Sequence, residues 1–218
     1  MTVWSERSAR HTEGMVDAFA KEYLHSDLRD ARQALLWKLD GLSEYDARRP
    51  MTITGTNLLG LVKHLTMTEA LYFGEVFGRA FPPEDLPWTA ADAELDADTW
   101  ATETESRSEV IDRYSRVCAH SDNTIADLSI DTAGHVAHWP RPEVMLFNVM
   151  VHVLSETLRH AGHADILREQ IDGAVGADPM TATFLERGQD YWATRHAKIE
   201  RAARNADTAA QQNPRTTG

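Results

Sequence analysis

The sequence is poor in cysteine, and Cys118 is the only one in 218 residues. A single thiol cannot form a disulfide within the chain, and no C-x-x-C pair is present to bind a metal through thiolates. This excludes a disulfide-stapled scaffold and a zinc-finger type of cluster. We therefore expect a protein of a reducing compartment that builds any metal site from nitrogen and oxygen ligands.

Long apolar runs are also missing. No stretch approaches the roughly 18 consecutive apolar residues that a transmembrane helix needs. The N-terminal stretch M-T-V-W-S-E-R-S-A-R-H-T-E is polar and carries acids, which does not match the apolar centre of an export signal. The sequence therefore predicts neither membrane insertion nor export, and the expected compartment is the cytoplasm.

Basic residues are scarce relative to acidic ones. The chain has 22 Lys and Arg against 34 Asp and Glu, which makes a formal net charge of -12 at pH 7. Such a charge repels nucleic acid and anionic membrane surfaces unless folding concentrates a basic patch, and the sequence has no such cluster. We expect small molecules as partners, with neither nucleic acid nor membrane among them.

Strand-like alternation is nearly absent, whereas apolar residues recur at the three- and four-residue spacing of helices. This predicts an all-α fold, namely an antiparallel four-helix bundle with an additional terminal helix. The bundle is expected over 27–175, between an N-terminal extension at 1–26 and a C-terminal helix at 176–206, with a disordered tail at 207–218. The expected bundle helices run from Leu28 to about Gly41, from a cap at Thr56 or Asn57 to Gly78, from Asp98 to Leu128, and from Val144 to Ile171 before Gly173.

A cluster of potential metal ligands marks the fourth helix. His152, Glu156, His160 and His163 fall within about one quadrant of the helix surface at about 100° per residue. A lone histidine usually packs or stays at the surface, but a carboxylate beside several imidazoles on an apolar face favours a bound cation. One helix cannot close a tetrahedral site, and His64 in the second helix is the candidate ligand from elsewhere.

Four segments of the sequence resemble one known family. They are L-L-W-K-L-D-G-L (35–42), T-G-T-N-L-L-G-L-V-K-H-L (54–65), Y-F-G-E-V-F-G-R (72–79) and E-T-L-R-H-A-G-H-A-D-I-L-R-E (156–169). Together they resemble the DinB/YfiT-like superfamily of metal-binding four-helix bundles, in a branch of unknown function related to mycothiol-dependent S-transferases and maleylpyruvate isomerase. The resemblance implies a metal between the second and fourth helices.

The resemblance also implies which residues bind that metal. His64 matches the histidine of the second helix, His160 matches the histidine before a small-residue step in the fourth, and Glu156 takes the remaining position. Many members have histidine there, so this chain resembles the His-Glu-His set of mycothiol-dependent maleylpyruvate isomerase. One carboxylate leaves a net charge of +1 on a divalent metal, compared with +2 for three histidines, and acidifies bound water or thiol less.

Other side chains near these candidate metal ligands each have two interpretations. His163 is either a hydrogen-bond partner of the ligands or a general base, and His152 either lines the pocket or packs. Arg159 either recognises a substrate carboxylate or pairs with helix acids. The proline-rich loop Phe81–Trp88, with Trp139, either walls the pocket or caps the bundle. The catalytic candidates are His163, His152 and Arg159.

The function that the resemblance implies is a metal-dependent thiol S-transferase. Characterised members activate a low-molecular-weight thiol, such as mycothiol, for attack on a small electrophile. Zinc is the first candidate metal, and nickel, iron and manganese accept the same ligands. The alternatives are a non-catalytic metal-binding stress-response bundle, a thiol-dependent isomerase and a metal-dependent hydrolase. Exposed apolar positions on long helices also allow a homodimer.

Overall fold

The computed structural model of this protein describes residues 3–90, 92–180 and 188–212. The chain forms two compact units, Met1–Asp178 and Pro179–Gly218. In the first unit, two short strands, β1 (Ala133–His135) and β2 (Glu143–Met145), pair antiparallel. The described α-helices of this unit are α1 (Val3–Trp37), α2 (Glu44–Arg48), α3 (Leu58–Glu69), α4 (Arg107–Asp127) and α5 (Leu146–Asp172).

The long helices α1, α3, α4 and α5 form the bundle, so the predicted all-α class and four-helix architecture are confirmed. Helix α1 packs along α5, and α3 packs along both α4 and α5. Apolar residues at helical spacing meet in the interior because their burial removes apolar surface from water. Fully buried examples from the four helices are Leu28, Leu35, Leu59, Leu65, Tyr114, Ile125, Val149 and Val153.

Helix α1 begins at Val3, so the prediction that the first helix starts after Ser26 is wrong. From Val3 onward, the segment expected as an N-terminal extension is continuous with the bundle helix. Its early part is tied to α4 by Lys21, whose Nζ donates to the carbonyl oxygens of Leu128 at 2.6 Å and Ala126 at 3.2 Å. These bonds satisfy carbonyl groups that the end of α4 leaves without helical partners.

The second predicted helix changes its hydrogen-bonding pattern along its length. It starts as predicted, because the side chain of Asn57 accepts a bond of 2.8 Å from the Gly60 N–H and caps α3. The α-helical part continues as a π-helix (Ala70–Gly74) and then a 3₁₀ turn (Glu75–Phe77). The predicted end at Gly78 is confirmed, with φ at 66° in the left-handed region.

The loop after Gly78 is longer than predicted, because α4 begins at Arg107 and not near Asp98. A capping box sets this start: Ser106 Oγ accepts from the Glu109 N–H at 3.2 Å, and the Glu109 carboxylate accepts from the Ser106 N–H at 2.8 Å. Asp98 therefore lies before the helix, within the loop. The 3₁₀ turns of this loop are Pro83–Asp85, Pro87–Thr89 and Ala97–Thr99.

The β-hairpin between α4 and α5 was not predicted from the sequence. Strand β1 pairs with β2 with Gly134 opposite Val144, and each strand has three residues. Such short strands carry too little alternation to be recognised. Helix α5 follows directly and ends at Gly173, with φ at 79°, as predicted. This helix carries the candidate metal ligands His152, Glu156, His160 and His163.

The second unit contains helix α6 (Gln189–Gln212). The sequence predicts a C-terminal helix at 176–206, of which residues 181–187 lie outside the described residues. Helix α6 continues to Gln212, beyond the predicted start of a disordered tail at 207, and residues 213–218 lie outside the described residues. Alanine and glutamine near its end are good helix formers. Among all described helices, none has a stretch long and apolar enough to cross a membrane.

Candidate functional site

Two histidines from different helices lie side by side in the bundle. His64 is on α3 and His160 is on α5, and their ring centroids are 5.0 Å apart at an interplanar angle of 70°. Both side chains are partly shielded, with exposed fractions of 30% for His64 and 16% for His160. The packing of α3 against α5 thus joins residues that are distant in the sequence.

Glu156 lies one helical turn before His160 on α5. Its Oε2 atom is 3.6 Å from His160 Nε2, and its Oε1 atom is 3.8 Å from a guanidinium nitrogen of Arg159. Both separations exceed the roughly 2.7–3.2 Å of a hydrogen bond, so neither neighbour holds the carboxylate tightly. A part-buried carboxylate in this situation gains from a nearby cation.

His163 flanks His160 from the next turn of the same helix. The Nδ1 atoms of the two rings are 3.4 Å apart, and the ring centroids are 5.3 Å apart. Burial lowers the pKa of His160 to about 4, and the neighbouring imidazoles of His64 and His163 add to the decrease. His160 is therefore neutral at physiological pH and has a lone pair available for a cation.

The structure adds Asp98 to this group of side chains. Its Oδ2 atom is 2.6 Å from His64 Nδ1, and its carboxylate is well shielded, with 13% exposed. An ionised carboxylate only accepts hydrogen bonds, so His64 donates from Nδ1. The sequence pattern predicts Asp98 at a helix start and gives no sign of this contact. The two residues are 34 positions apart, and no local spacing relates them.

An open pocket of about 330 Å³ lies against this cluster, lined in part by His64, His160 and His163. Glu156 is not among its lining residues. The rest of the wall is formed mainly by small and polar residues at the start of α3 and in the turn before Trp100. They include Thr54, Thr56, Asn57, Gly60, Asp96 and Thr99.

The loop Phe81–Trp88 caps the bundle and does not wall this pocket. Leu86 and Trp88 are buried against Ala70 and Val117, and Phe81 packs at the edge of the same cluster. None of these residues lines the pocket beside His64. Of the two interpretations of this loop, the structure therefore supports the cap.

His152 lies two turns before His160 and is separate from the pocket. Its ring is in edge-to-face contact with Tyr72 and Trp139, with a centroid distance of 4.6 Å to each. The Tyr72 hydroxyl accepts a bond of 3.1 Å from Trp139 Nε1 and is 3.2 Å from His138 Nε2. Burial lowers the pKa of His152. The histidines predicted to share one region of this helix are thus divided: His152 lies in an aromatic cluster, whereas His160 and His163 line the pocket.

In the part of the chain that the structure describes, no three His, Cys, Asp or Glu side chains form a ready-made metal-binding group. The donors of His64, Glu156 and His160 are nevertheless of the type that suits a divalent cation, with two imidazole nitrogens and a carboxylate oxygen. The Nε2 atom of His64 is left for a ligand because Nδ1 faces Asp98. By donor type the three groups suit a divalent metal, and in this structure the His64 ring lies beside that of His160, whose Nε2 atom is 3.6 Å from Glu156 Oε2.

Comparison with known proteins extends these observations. Residues 23–173 match the model of the family described as Mycothiol-S-transferase. Among solved structures, the chain is similar to a conserved protein from Enterococcus faecalis, with a TM-score of 0.56 and 14% sequence identity over 70% of this chain and 96% of that one. At this identity the similarity shows the fold alone. No curated protein matches the sequence.

Proposed function

This chain belongs to the mycothiol-S-transferase family within the DinB-like superfamily, and we propose that it is a metal-dependent thiol S-transferase. The observation that carries the proposal is the contact between His64 and His160 across the bundle, at the wall of an open pocket. A pocket of about 330 Å³ has room for small reactants. The proposed sulfur donor is a low-molecular-weight thiol of the mycothiol type, and the acceptor is a small electrophile.

His64, Glu156 and His160 are the proposed ligands of a divalent metal, with zinc as the first candidate and nickel, iron or manganese as alternatives. Three protein ligands leave coordination positions open, which suits catalysis better than a structural brace. When bound, the metal supplies positive charge that lowers the pKa of a coordinated thiol. The carboxylate of Glu156 would reduce the net positive charge of the metal. Among the described residues, no group lies within hydrogen-bond distance of this carboxylate, since Arg159 and His160 are 3.8 and 3.6 Å away.

The protein's own thiol is unsuited to act as the nucleophile. Cys118 lies on α4, where burial, together with the negative charge of Glu69, raises the pKa of its thiol well above the usual range. A thiol that stays protonated is a poor nucleophile. This supports an external thiol as the source of sulfur.

In the proposed transfer, the thiol sulfur forms a bond to the electrophilic carbon while the bond between that carbon and its leaving group breaks. The thiol proton passes to His163, which lines the pocket and lies beside His160. We assign Arg159, whose side chain is 64% exposed and lies beside Glu156, the role of binding a substrate carboxylate. We assign His152 a packing role, because Tyr72 and Trp139 surround its ring.

The test uses the full chain, either loaded with zinc or metal-free, and measures the consumption of mycothiol with a panel of alkylating electrophiles. We expect the zinc-loaded protein to form the S-conjugate, and the metal-free protein or His160→Ala to be slower by at least about a hundredfold. Equal rates with and without zinc would refute the metal-dependent mechanism.

Two other results would replace the transferase by one of its alternatives. Stoichiometric zinc without any conjugate would favour a non-catalytic metal-binding bundle. Recovery of unchanged thiol with a rearranged acceptor would identify a thiol-dependent isomerase, in which the sulfur adds to the double bond and is later eliminated.

A further inference from the structure

We propose that Asp98 is a positioning residue that holds the His64 ring with Nε2 directed to the metal. This inference rests on the proposed function, because it takes His64 as a ligand. Its basis is the 2.6 Å contact between Asp98 Oδ2 and His64 Nδ1. A carboxylate that accepts the Nδ1–H bond fixes the ring orientation and selects the tautomer in which Nε2 carries the lone pair.

The surroundings of Asp98 favour this role over that of a surface charge. Its carboxylate is 13% exposed, and no lysine or arginine among the described residues pairs with it. A shielded carboxylate without a cationic partner is costly unless strong hydrogen bonds compensate. The imidazole of His64 donates the hydrogen bond that this carboxylate accepts from a side chain, and a cation held by Nε2 of the same ring would strengthen that bond.

The turn that carries Asp98 is held against α3 by neighbours of His64. Lys63 Nζ donates to the Trp100 carbonyl oxygen and to Glu105 Oε2, both at 2.9 Å. Three residues before Lys63, Gly60 lets the backbone of the turn approach α3, since a Cβ there would lie 1.9 Å from the Thr99 carbonyl oxygen. Both contacts lie within about one helical turn before His64, and they hold the turn that carries the carboxylate against α3 before any ligand binds.

Two kinds of substitution separate the positioning role from a simple brace of the loop. Asp98→Ala removes the hydrogen-bond acceptor, whereas Asp98→Asn retains an amide oxygen that accepts from Nδ1–H but lacks the negative charge. We expect zinc affinity to fall about 10- to 100-fold in Asp98→Ala and by less in Asp98→Asn. Asp92→Ala is the matched control, because Asp92 is exposed in the same loop and is outside the pocket lining.

The experiment measures zinc affinity of the full chain by competition with a chelator, and the tautomer of His64 in metal-free protein by ¹⁵N NMR of the imidazole nitrogens. We expect the wild-type ring to be protonated at Nδ1, and this preference to be lost in Asp98→Ala and retained in Asp98→Asn. The NMR measurement on wild-type protein tests the inference even where Asp98→Ala fails to fold.

Wild-type zinc affinity in folded Asp98→Ala, or an Nε2-protonated His64 in the wild-type protein, would overturn the inference. His64→Ala distinguishes this from a failure of the proposed function. Loss of zinc in His64→Ala with no effect of Asp98→Ala rejects the positioning role alone. Full zinc affinity in His64→Ala rejects the ligand assignment itself, and the positioning role with it.

Discussion

At the scale of single residues, the site depends on where each imidazole holds its proton. Asp98 engages Nδ1 of His64, and burial keeps His160 neutral by lowering its pKa to about 4. Glu156 lies 3.6 Å from His160 without a close hydrogen bond to it. Three neighbouring groups thus have lone pairs that are not consumed by strong bonds inside the protein. This is the condition under which nitrogen and oxygen donors bind a divalent cation.

Glu156→Ala and His160→Ala should each lose bound zinc while the fold is retained, because each removes one of three proposed ligands. We expect the fall in zinc affinity to exceed the roughly 10- to 100-fold typical of residues that only support a ligand. Zinc content after dialysis measures the loss, and circular dichroism checks the fold. His163→Ala is the control from the same helix and should retain zinc. Stoichiometric zinc in both folded ligand variants would contradict the assignment.

At the scale of elements, the site is made where the turn Ala97–Thr99 meets α3. Two residues of α3 that are four positions apart meet this turn: Gly60 leaves space for its backbone, and His64 contacts Asp98. The capping box at Ser106 contributes by starting α4 late enough to leave Asp98 in the loop. The close approach of turn and helix is therefore part of the site's construction.

Gly60→Ala should destabilise the first unit, although alanine is the better helix former by about 1 kcal/mol. The added Cβ would lie 1.9 Å from the backbone oxygen of Thr99, so the turn has to move. We expect a net loss of about 1–3 kcal/mol of unfolding free energy, measured in urea. Gly14→Ala in α1 is the matched control, because an added Cβ there would have no atom within 4 Å. It should leave stability unchanged or raise it, and an equal effect of both substitutions would argue against the steric explanation.

At the scale of the whole molecule, a buried ionic network joins three helices of the bundle. Arg32 on α1 donates to both carboxylate oxygens of Glu69 on α3, at 2.7 and 2.8 Å, and to Asp122 on α4 at 2.6 Å. The Glu69 side chain has no exposed surface, and His25 also contacts Asp122 at 2.8 Å. Each charge in this network is stable in the interior only while its partner is present.

Arg32→Ala should cost about 3–5 kcal/mol of unfolding free energy, because it leaves the carboxylate of Glu69 buried without its cation. The matched control is Arg29→Ala, one turn earlier on α1, where the side chain is 46% exposed and lies 3.6 Å from Glu22. An exposed pair of this kind contributes about 0–1 kcal/mol. Urea unfolding of the two variants measures the difference, and similar losses in both would show that the buried network does not hold the helices together.

Much of the fold could be predicted from local sequence patterns. Apolar spacing identified the bundle helices, and Asn57, Gly78 and Gly173 marked helix ends correctly because caps and left-handed glycines act within one turn. The start of α1 was predicted wrongly. Ser26 and Asp27 are of residue types that often cap helices, but they cap a helix only where the preceding chain is not helical, and here α1 runs through both. The π-helix at Ala70–Gly74 was not predicted, because it is a single short segment and the apolar residues around it still follow the spacing of an α-helix.

The sequence by itself determined that Glu156, His160 and His163 share one region of a helix, because residues three and four apart always do. The family resemblance implied that His64 and His160 come together, but no spacing along the chain implies it, and the tertiary structure decides which histidines meet. It brought His64 to His160, placed Asp98 on His64, and enclosed His152 between Tyr72 and Trp139. Helical periodicity is a property of neighbours along the chain, whereas these contacts depend on how helices and loops pack, which no local spacing encodes.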